Sequence, residues 1–336
     1  MKRYIFFGPS LIVFLFMISA LFLGGMFSFW REKENLKNVE LFEYVQTESF
    51  SQERANVSEE NESSRASIVF TGDVMLDRYI RTVARKIGYT ALLEDRGNIL
   101  KEADAVVINL EGPITDNPSR SEGSAIGSRD NYYFTFDPKS IDFLLENSMN
   151  IIHIGNNHID NFGTEGIGQT QDYLEKYSLE YFGAVHTLPE KIVLRKTLQG
   201  MQFSFVSYNQ FSSISGDHIA LVIKKEKEMS DFVVVYTHWG QEYKTISDQK
   251  QKDLAHKFID AGADVIIGSH PHVIQEKEVY KGKTIYYSLG NFIFDQYFDD
   301  GVKKGLVVRA MFDAKESSIV FEEFIADISS QGITKL

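Results

Sequence analysis

Hydrophobic and polar positions divide the chain into three regimes. From Tyr4 to Trp30 there is no charged residue, and about 27 residues at about 1.5 Å rise make roughly 40 Å of helix, enough to cross an apolar core of about 30 Å with tilt. The run exceeds the apolar stretch of a cleaved signal, about 7–15 residues, and no small-x-small site precedes the polar stretch. Residues 1–30 therefore read as a cytoplasmic stub and an uncleaved single-pass anchor. Lys2 and Arg3 precede it, while Arg31, Lys33 and Lys37 follow it among Glu32, Glu34 and Glu40, so flanking charge orients it weakly. The short N-terminal arm predicts N-terminus inside and the bulk outside the cell membrane. Residues 31–66 turn to Glu, Ser, Asn and Gln and predict a flexible extracytoplasmic linker. Leu36, Val39, Leu41, Phe42 and Val45 allow one short amphipathic helix there.

From Ser67 the pattern becomes short, β-branched apolar runs closed by Gly, Asn, Asp or His. Buried strands are predicted over Ile68–Thr71, Ala105–Asn109, Ile151–Ile154, Phe203–Ser207, Phe232–Thr237, Val265–Ile267, Thr284–Ser288 and Leu306–Met311. Helices are predicted over Pro138–Asn147, behind an Asp137 N-cap, and over Asp248–Ala261, with Leu254, Phe258 and Ala261 on one stripe and Gly262 as stop. A third covers Gly166–Tyr177. Asp116–Asn131 reads as a surface loop, and no internal repeat is found. Strands alternating with helices make residues 67–336 an α/β layered domain.

Composition narrows the chemistry. The 336 residues carry 35 basic and 47 acidic side chains, a formal net charge of −12, which disfavours nucleic acid as the main partner. With 43% hydrophobic residues the chain can bury a sizeable core, so fibrous and wholly disordered readings fall away. No cysteine is present, which removes disulfides, Cys-ligated zinc or iron–sulfur sites, a thiol nucleophile and a lipobox anchor. Any metal must be held by His, carboxylate or amide groups.

In α/β folds ligands gather outside the carboxyl ends of strands, and the residues standing there repeat one composition. Asp73 follows the first run, Asn109 and Glu111 the second, and Asn156, Asn157 and His158 the third. His238, Trp239 and Gly240 follow Phe232–Thr237, and His270, Pro271 and His272 follow Val265–Gly268. A single strand-end His or Asp is ordinarily a hydrogen-bonded or turn residue. Recurrence at so many ends predicts a site for Zn, Mn or Fe, and a carboxylate between two cations suits phosphoester chemistry.

Those residues lie in Gly72-Asp73-Val74-Met75-Leu76, Asn109-Leu110-Glu111-Gly112-Pro113, Asn156-Asn157-His158-Ile159-Asp160, His238-Trp239-Gly240-Gln241-Glu242-Tyr243, Gly268-Ser269-His270-Pro271-His272 and Tyr287-Ser288-Leu289-Gly290-Asn291-Phe292. On them the chain, from Ile68 to about Ala310, resembles the CapA/PgsA family of bacterial capsule and poly-γ-glutamate synthesis proteins. That family is in turn similar to calcineurin-like metallophosphoesterases. The resemblance implies a four-layer sandwich, two mixed β-sheets flanked by helices. It implies metal ligation by Asp73, Glu111, Asn157, His238, His270 and His272, with His158 as the catalytic residue contacting a phosphoryl group. One or two divalent ions, Mn, Zn or Fe, are implied. The chain departs from the phosphoesterase pattern at Met75, where a His is expected, and at Glu111, where an Asp is expected. A thioether is a poor ligand for such ions, which leaves the second ion open.

Further residues have two readings each. Arg78 can clamp an anionic substrate or form a surface pair with Asp77. Asn109, Asn156, Asn291 and Asp295 can line the site or support its ligands. Asp160 caps the loop before Gly163. Trp239 and Tyr243 read as packing before stacking, His153 and His256 as structural, and His186 and His218 as loop residues. No Gly-rich phosphate loop is found. The expected roles are an anchored accessory protein of capsule or poly-γ-glutamate synthesis or export, working with the synthase subunits; a phosphoesterase acting on a cell-envelope polymer independently of poly-γ-glutamate; or a non-catalytic subunit binding an anionic envelope polymer.

Overall fold

In the computed structural model the described residues are 65–95, 97–183 and 189–336. The anchor, most of the linker, the Leu36–Val45 helix and His186 lie outside them. Among the described residues no helix is long and apolar enough to cross a membrane.

The apolar runs become strands because they are continuous and β-branched, as sheets covered on both faces require. In chain order the strands are β1 (Arg65–Val74), β2 (Leu93–Glu94), β3 (Ala105–Leu110), β4 (Ile151–His153), β5 (Glu180–Phe182), β6 (Val193–Leu198), β7 (Met201–Asn209), β8 (Phe232–His238), β9 (Val265–Ser269), β10 (Lys277–Tyr280), β11 (Lys283–Tyr286), β12 (Asn291–Ile293), β13 (Lys304–Asp313), β14 (Ser318–Ile328) and β15 (Thr334–Lys335). The helices are α1 (Arg78–Ile87), α2 (Ile141–Glu146), α3 (Gly163–Lys176), α4 (Gly216–Lys227) and α5 (Gln249–Ala261).

They form a mixed α/β fold of two sheets. A nine-stranded sheet runs β2-β15-β14-β13-β1-β3-β4-β5, with β12 also paired to β1. A six-stranded sheet runs β10-β11-β9-β8-β7-β6. Strands β1, β3, β4 and β5 are mutually parallel, as are β7, β8, β9 and β11, so the carboxyl ends within each set share one rim. Alternation along the strands sorts side chains into separate cores. Ile68, Phe70 and Val107 of the larger sheet meet Phe203, Phe205, Val234 and Ile267 of the smaller one. On the outer face of the larger sheet Val69, Val106 and Ile108 pack with Ile80 of α1, Phe143 and Leu144 of α2, and Ile167 and Leu174 of α3. Val206, Val233, Val235 and Ile266 pack on the opposite outside with Ile219 and Ile223 of α4 and Phe258 of α5.

Local chemistry sets the ends of the elements. α5 begins at Asp248, whose side chain accepts from Gln251 N while the Gln251 side chain accepts from Asp248 N, a capping box. Asp137 accepts from Lys139 N as expected, but Pro138–Ser140 is a 3-10 turn and α2 starts only at Ile141. The helix expected from Gly166 starts at Gly163. His218 is not in a loop: it lies in the first turn of α4, where Ser215 accepts from its backbone N–H. Asp77 and Arg78 form no surface pair with each other, because Asp77 is buried against Arg81 and Arg78 turns to Asp295.

Strand β1 shifts register between Phe70 and Asp73, leaving β13 and continuing beside β12, where Asp73 pairs with Asn291. Gly72 sits at this irregularity. A Cβ there would lie 1.9 Å from Gly290 O, so only glycine allows the backbones to approach. Asp73 N then donates to Gly290 O at 3.0 Å. Gly72→Ala should lower unfolding free energy by about 3 kcal/mol or prevent folding. Gly168→Ala, in α3 with no heavy atom within 4 Å of the new Cβ, should raise it by about 0.5–1 kcal/mol. Urea unfolding of both variants checks the pair, and equal effects would contradict the packing described.

Candidate metal centre

Strand ends of both sheets meet at one buried cluster. From the larger sheet come Asp73 at the end of β1, Asn109 and Glu111 at the end of β3, and Asn156, Asn157 and His158 after β4. From the smaller sheet come His238, the last residue of β8, and His270 and His272 after β9. Asp73, Glu111 and His238 each offer one ligand atom, all within 4.8 Å of one another, and all are buried. His272 adds Nδ1 at 3.3 Å from Asp73 Oδ2 and Nε2 at 3.5 Å from Glu111 Oε1. His158 Nε2 stands 4.0 Å from Glu111 Oε1. Asn157 Oδ1 lies 2.7 Å from His238 Nε2, and the His270 ring is 4.8 Å from that of His238.

Hydrogen bonds fix which ring nitrogen faces the acids. Ser269 Oγ donates its one proton to Thr237 O at 2.8 Å, so at 3.0 Å from His238 Nδ1 it can only accept. Asn157 Oδ1, 2.7 Å from His238 Nε2, is also an acceptor, so the single proton of the neutral ring leaves one of these two contacts unpaired, as ligands of a shared cation are. Asn291 Nδ2 donates to Gln296 Oε1 and Val302 O, which leaves Asn291 Oδ1 to accept from His272 Nδ1 at 3.0 Å. His272 thus turns a bare Nε2 toward Glu111. Supporting groups that hold a ligand histidine in one tautomer are the usual companions of metal sites. Asn109 Nδ2 donates to Asp73 Oδ1 at 2.8 Å and to Glu111 Oε2 at 3.3 Å. Its Oδ1 accepts from His153 Nδ1 and Asn156 Nδ2, both at 3.1 Å.

The arrangement concentrates acceptors. Glu111 Oε1 and His270 Nδ1 are buried with no hydrogen-bond partner, a state that is costly unless something else satisfies them. Bare nitrogens and carboxylate oxygens facing each other fit a divalent cation, and the all-N/O donor set suits Mn, Zn or Fe. Burial, then the charge of Asp73, pushes the Glu111 carboxyl well above its usual range. Burial, then His270, holds the His238 imidazole well below its own. Burial likewise lowers His270 to about 3 and His158 to about 4. Neutral imidazoles are the form a metal requires.

The histidine turn is strained. His270 has φ 96° and His272 φ 59°, left-handed values that non-glycine residues rarely adopt. His270 N donates to Asp73 Oδ2 at 3.3 Å, and Pro271 O accepts from Tyr243 N at 2.8 Å. Tyr243 is exposed with its ring 6.1 Å from His272, whereas Trp239 is buried, donates to Tyr287 O and stacks on Phe258. Met75 does not reach the cluster: it is buried in the outer core and its Sδ accepts from Asp77 N. Asp295 lies beside Arg78, and Asp160 O accepts from Gly163 N.

Three contributors escaped the sequence reading. Ser269 holds His238, Asn161 Oδ1 accepts from His158 Nδ1 at 3.3 Å, and His153 is part of the Asn109 network. Asn161 stands three residues after His158, a spacing that could have pointed to it. Ser269 and His153 carry no such signal.

Residues 67–296 match the family described as bacterial capsule synthesis protein PGA_cap. Over 246 residues the chain is 32% identical to the PGA biosynthesis protein CapA of Bacillus subtilis (strain 168), covering 68% of this chain and 63% of that protein. It is 28% identical over 254 residues to the capsule biosynthesis protein CapA of Bacillus anthracis, covering 70% and 61%. The chain thus spans about three fifths of the length of these relatives. A crystal structure of a hypothetical protein from Thermus thermophilus aligns with a TM-score of 0.51 at 16% identity, over 78% of this chain and 99% of that one, a likeness of fold.

Two outcomes follow from the site. The purified chain should bind Mn or Zn, and His238→Ala with Asp73→Asn should lower its metal content at least about tenfold, read by elemental analysis; equal content in both would contradict the site. Burial holds His153 at about 3 in the fold, against about 6.5 unfolded. Between those values the unfolded chain binds more protons, so this group's stabilisation is full above about 6.5 and declines on acidification. Glu111, raised in the fold, acts in the opposite sense. His153→Gln should therefore flatten the loss of stability of metal-free protein between about pH 6.5 and 4, measured by chemical denaturation.

Proposed function

The chain belongs to the bacterial capsule synthesis protein family, and from that premise we propose that it is a membrane-anchored accessory protein of capsule or poly-γ-glutamate synthesis or export. In this reading its α/β domain faces outward and carries a metal-binding, phosphoesterase-like site. Its partners are the synthase subunits and the anionic polymer they make. The apolar run from Tyr4 to Trp30 supports the anchor. The observation that carries the site is the pair of buried carboxylates, Asp73 and Glu111, faced by bare imidazole nitrogens with Glu111 Oε1 unsatisfied.

Asp73, Glu111, Asn157, His238, His270 and His272 would hold the ion or ions. A divalent cation there would supply charge neutralisation and a lowered water pKa for attack on a phosphoester. His158 favours a second reading, hydrolysis of a phosphoester in an envelope polymer independent of poly-γ-glutamate. Its Nδ1 proton is held by Asn161, which aims Nε2 toward Glu111. Burial, with His272 and Arg78 adding to it, keeps this ring neutral near pH 7. A phosphoryl dianion arriving beside it would offset those neighbours and raise its proton affinity, as a proton donor to a leaving oxygen needs.

The accessory reading is tested by deleting the gene in its own host and returning wild type or Asp73→Asn. Surface polymer should fall on deletion and recover only with wild type; unchanged polymer would remove the capsule role. Turnover of a model phosphodiester with Mn, lost about 100-fold or more in His158→Ala at unchanged metal content, would establish the hydrolase. Background rates in both would leave a non-catalytic polymer-binding subunit.

A further inference from the structure

Arg78 occupies a position that ordinary folding rules disfavour three times over. It opens α1 with φ 49°, a left-handed conformation that Gly, not Arg, adopts freely. It places a cation at the positive end of a helix whose first turn has no acidic residue. Its Nε is buried with no partner. Asp295 answers part of this: its Oδ1 takes Arg78 Nη2 and its Oδ2 accepts from Tyr79 N at 3.1 Å. A tether between α1 and the segment after β12 needs none of these features, because a lysine or a fully paired arginine in relaxed backbone would serve.

What surrounds the guanidinium indicates its use. Its carbon lies 5.0 Å from the centre of the Phe134 ring and 5.3 Å from that of Phe294. Phe134 also packs on His158 at 4.3 Å, and Phe294 on His272 at 4.8 Å. Each phenyl ring therefore contacts both Arg78 and one of the two histidines that approach Glu111. Its charge is felt by Glu111 and by His158. A flat guanidinium supported by aromatic faces, with its carboxylate partner engaging one edge, is suited to bidentate recognition of paired anionic oxygens.

We infer that Arg78, braced by Phe134, Phe294 and Asp295, is the receptor for an anionic oxygen pair of the ligand, a phosphate or a carboxylate, at the mouth of the metal centre. This rests on the metal-site reading above and deepens it. Arg78 binds the ligand, and Asp295 positions Arg78. In a chain of net charge −12 such a group is what lets an anionic ligand approach carboxylates without being repelled.

The test uses the full-length chain in detergent, with Mn and separately with EDTA, titrated calorimetrically with inorganic phosphate and with a γ-linked glutamate oligomer. Wild type should bind at least one of them in Mn, and the one bound identifies the source of the oxygens. Arg78→Gln and Arg78→Lys should each weaken that binding about tenfold or more, while metal content and melting temperature of Arg78→Lys stay near wild type. A tether would be rescued by Lys, since the ion pair to Asp295 survives; undiminished binding in Arg78→Lys overturns the inference, as does wild type that holds Mn yet binds neither ligand. Failure of wild type to hold Mn would instead remove the metal reading, and the EDTA titrations would still decide whether Arg78 takes the anion.

Discussion

One carboxamide holds the site together. Asn109 divides its amide protons between Asp73 and Glu111 and takes His153 and Asn156 on its oxygen, so one side chain ties the ends of β1, β3 and β4. Two full charges within 4.8 Å of each other would repel by at least about 3 kcal/mol at an effective dielectric near 20, and both acids are buried. Asn109 offsets part of that with two donors, while burial, then the charge of Asp73, still raises the Glu111 proton affinity. The histidines are organised around what Asn109 leaves free: Glu111 Oε1 toward His272 and His158, and Asp73 Oδ2 toward His270 N and His272.

The strained histidine turn belongs to the same logic. His270 and His272 hold left-handed backbone because the segment after β9 must return a backbone N–H to Asp73 and a ring to Glu111 within three residues. Extended backbone would send the two side chains to opposite faces. Pro271 between them fixes one dihedral of the turn and offers its carbonyl to Tyr243 N. A site built on such a turn gives little freedom to its imidazoles.

The strands that form the two-sided cores were legible in the sequence because their apolar runs are unbroken. The strands that were not legible are those without such a run. β2, β5, β12 and β15 are two or three residues long, too short for any periodicity to register. β6, β10 and β14 lie at or toward the sheet margins with few fully buried residues and read as polar. α1 was hidden because Arg78-Tyr79-Ile80-Arg81 carries charge into a buried stretch, and its Asp77 carboxylate, a natural cap, serves Arg81 and Thr135 N instead. For the site, the acids and imidazoles stood out because parallel strands bring their carboxyl ends to one rim. Ser269 and His153 could not stand out: each matters through a partner brought beside it by folding, and neither differs locally from an ordinary strand residue.

The acids and the imidazoles come from different sheets. Asp73 and Glu111 ride on the larger one, His238, His270 and His272 on the smaller, and between them the apolar contact is made by rings such as Phe70 and Phe205 that have no direction of their own. An ion caught at the rim would act as a rivet across the seam, coupling the rigidity of the domain to mineral supply. A molecule that folded before acquiring its cation would be the looser species, and the one more open to proteases.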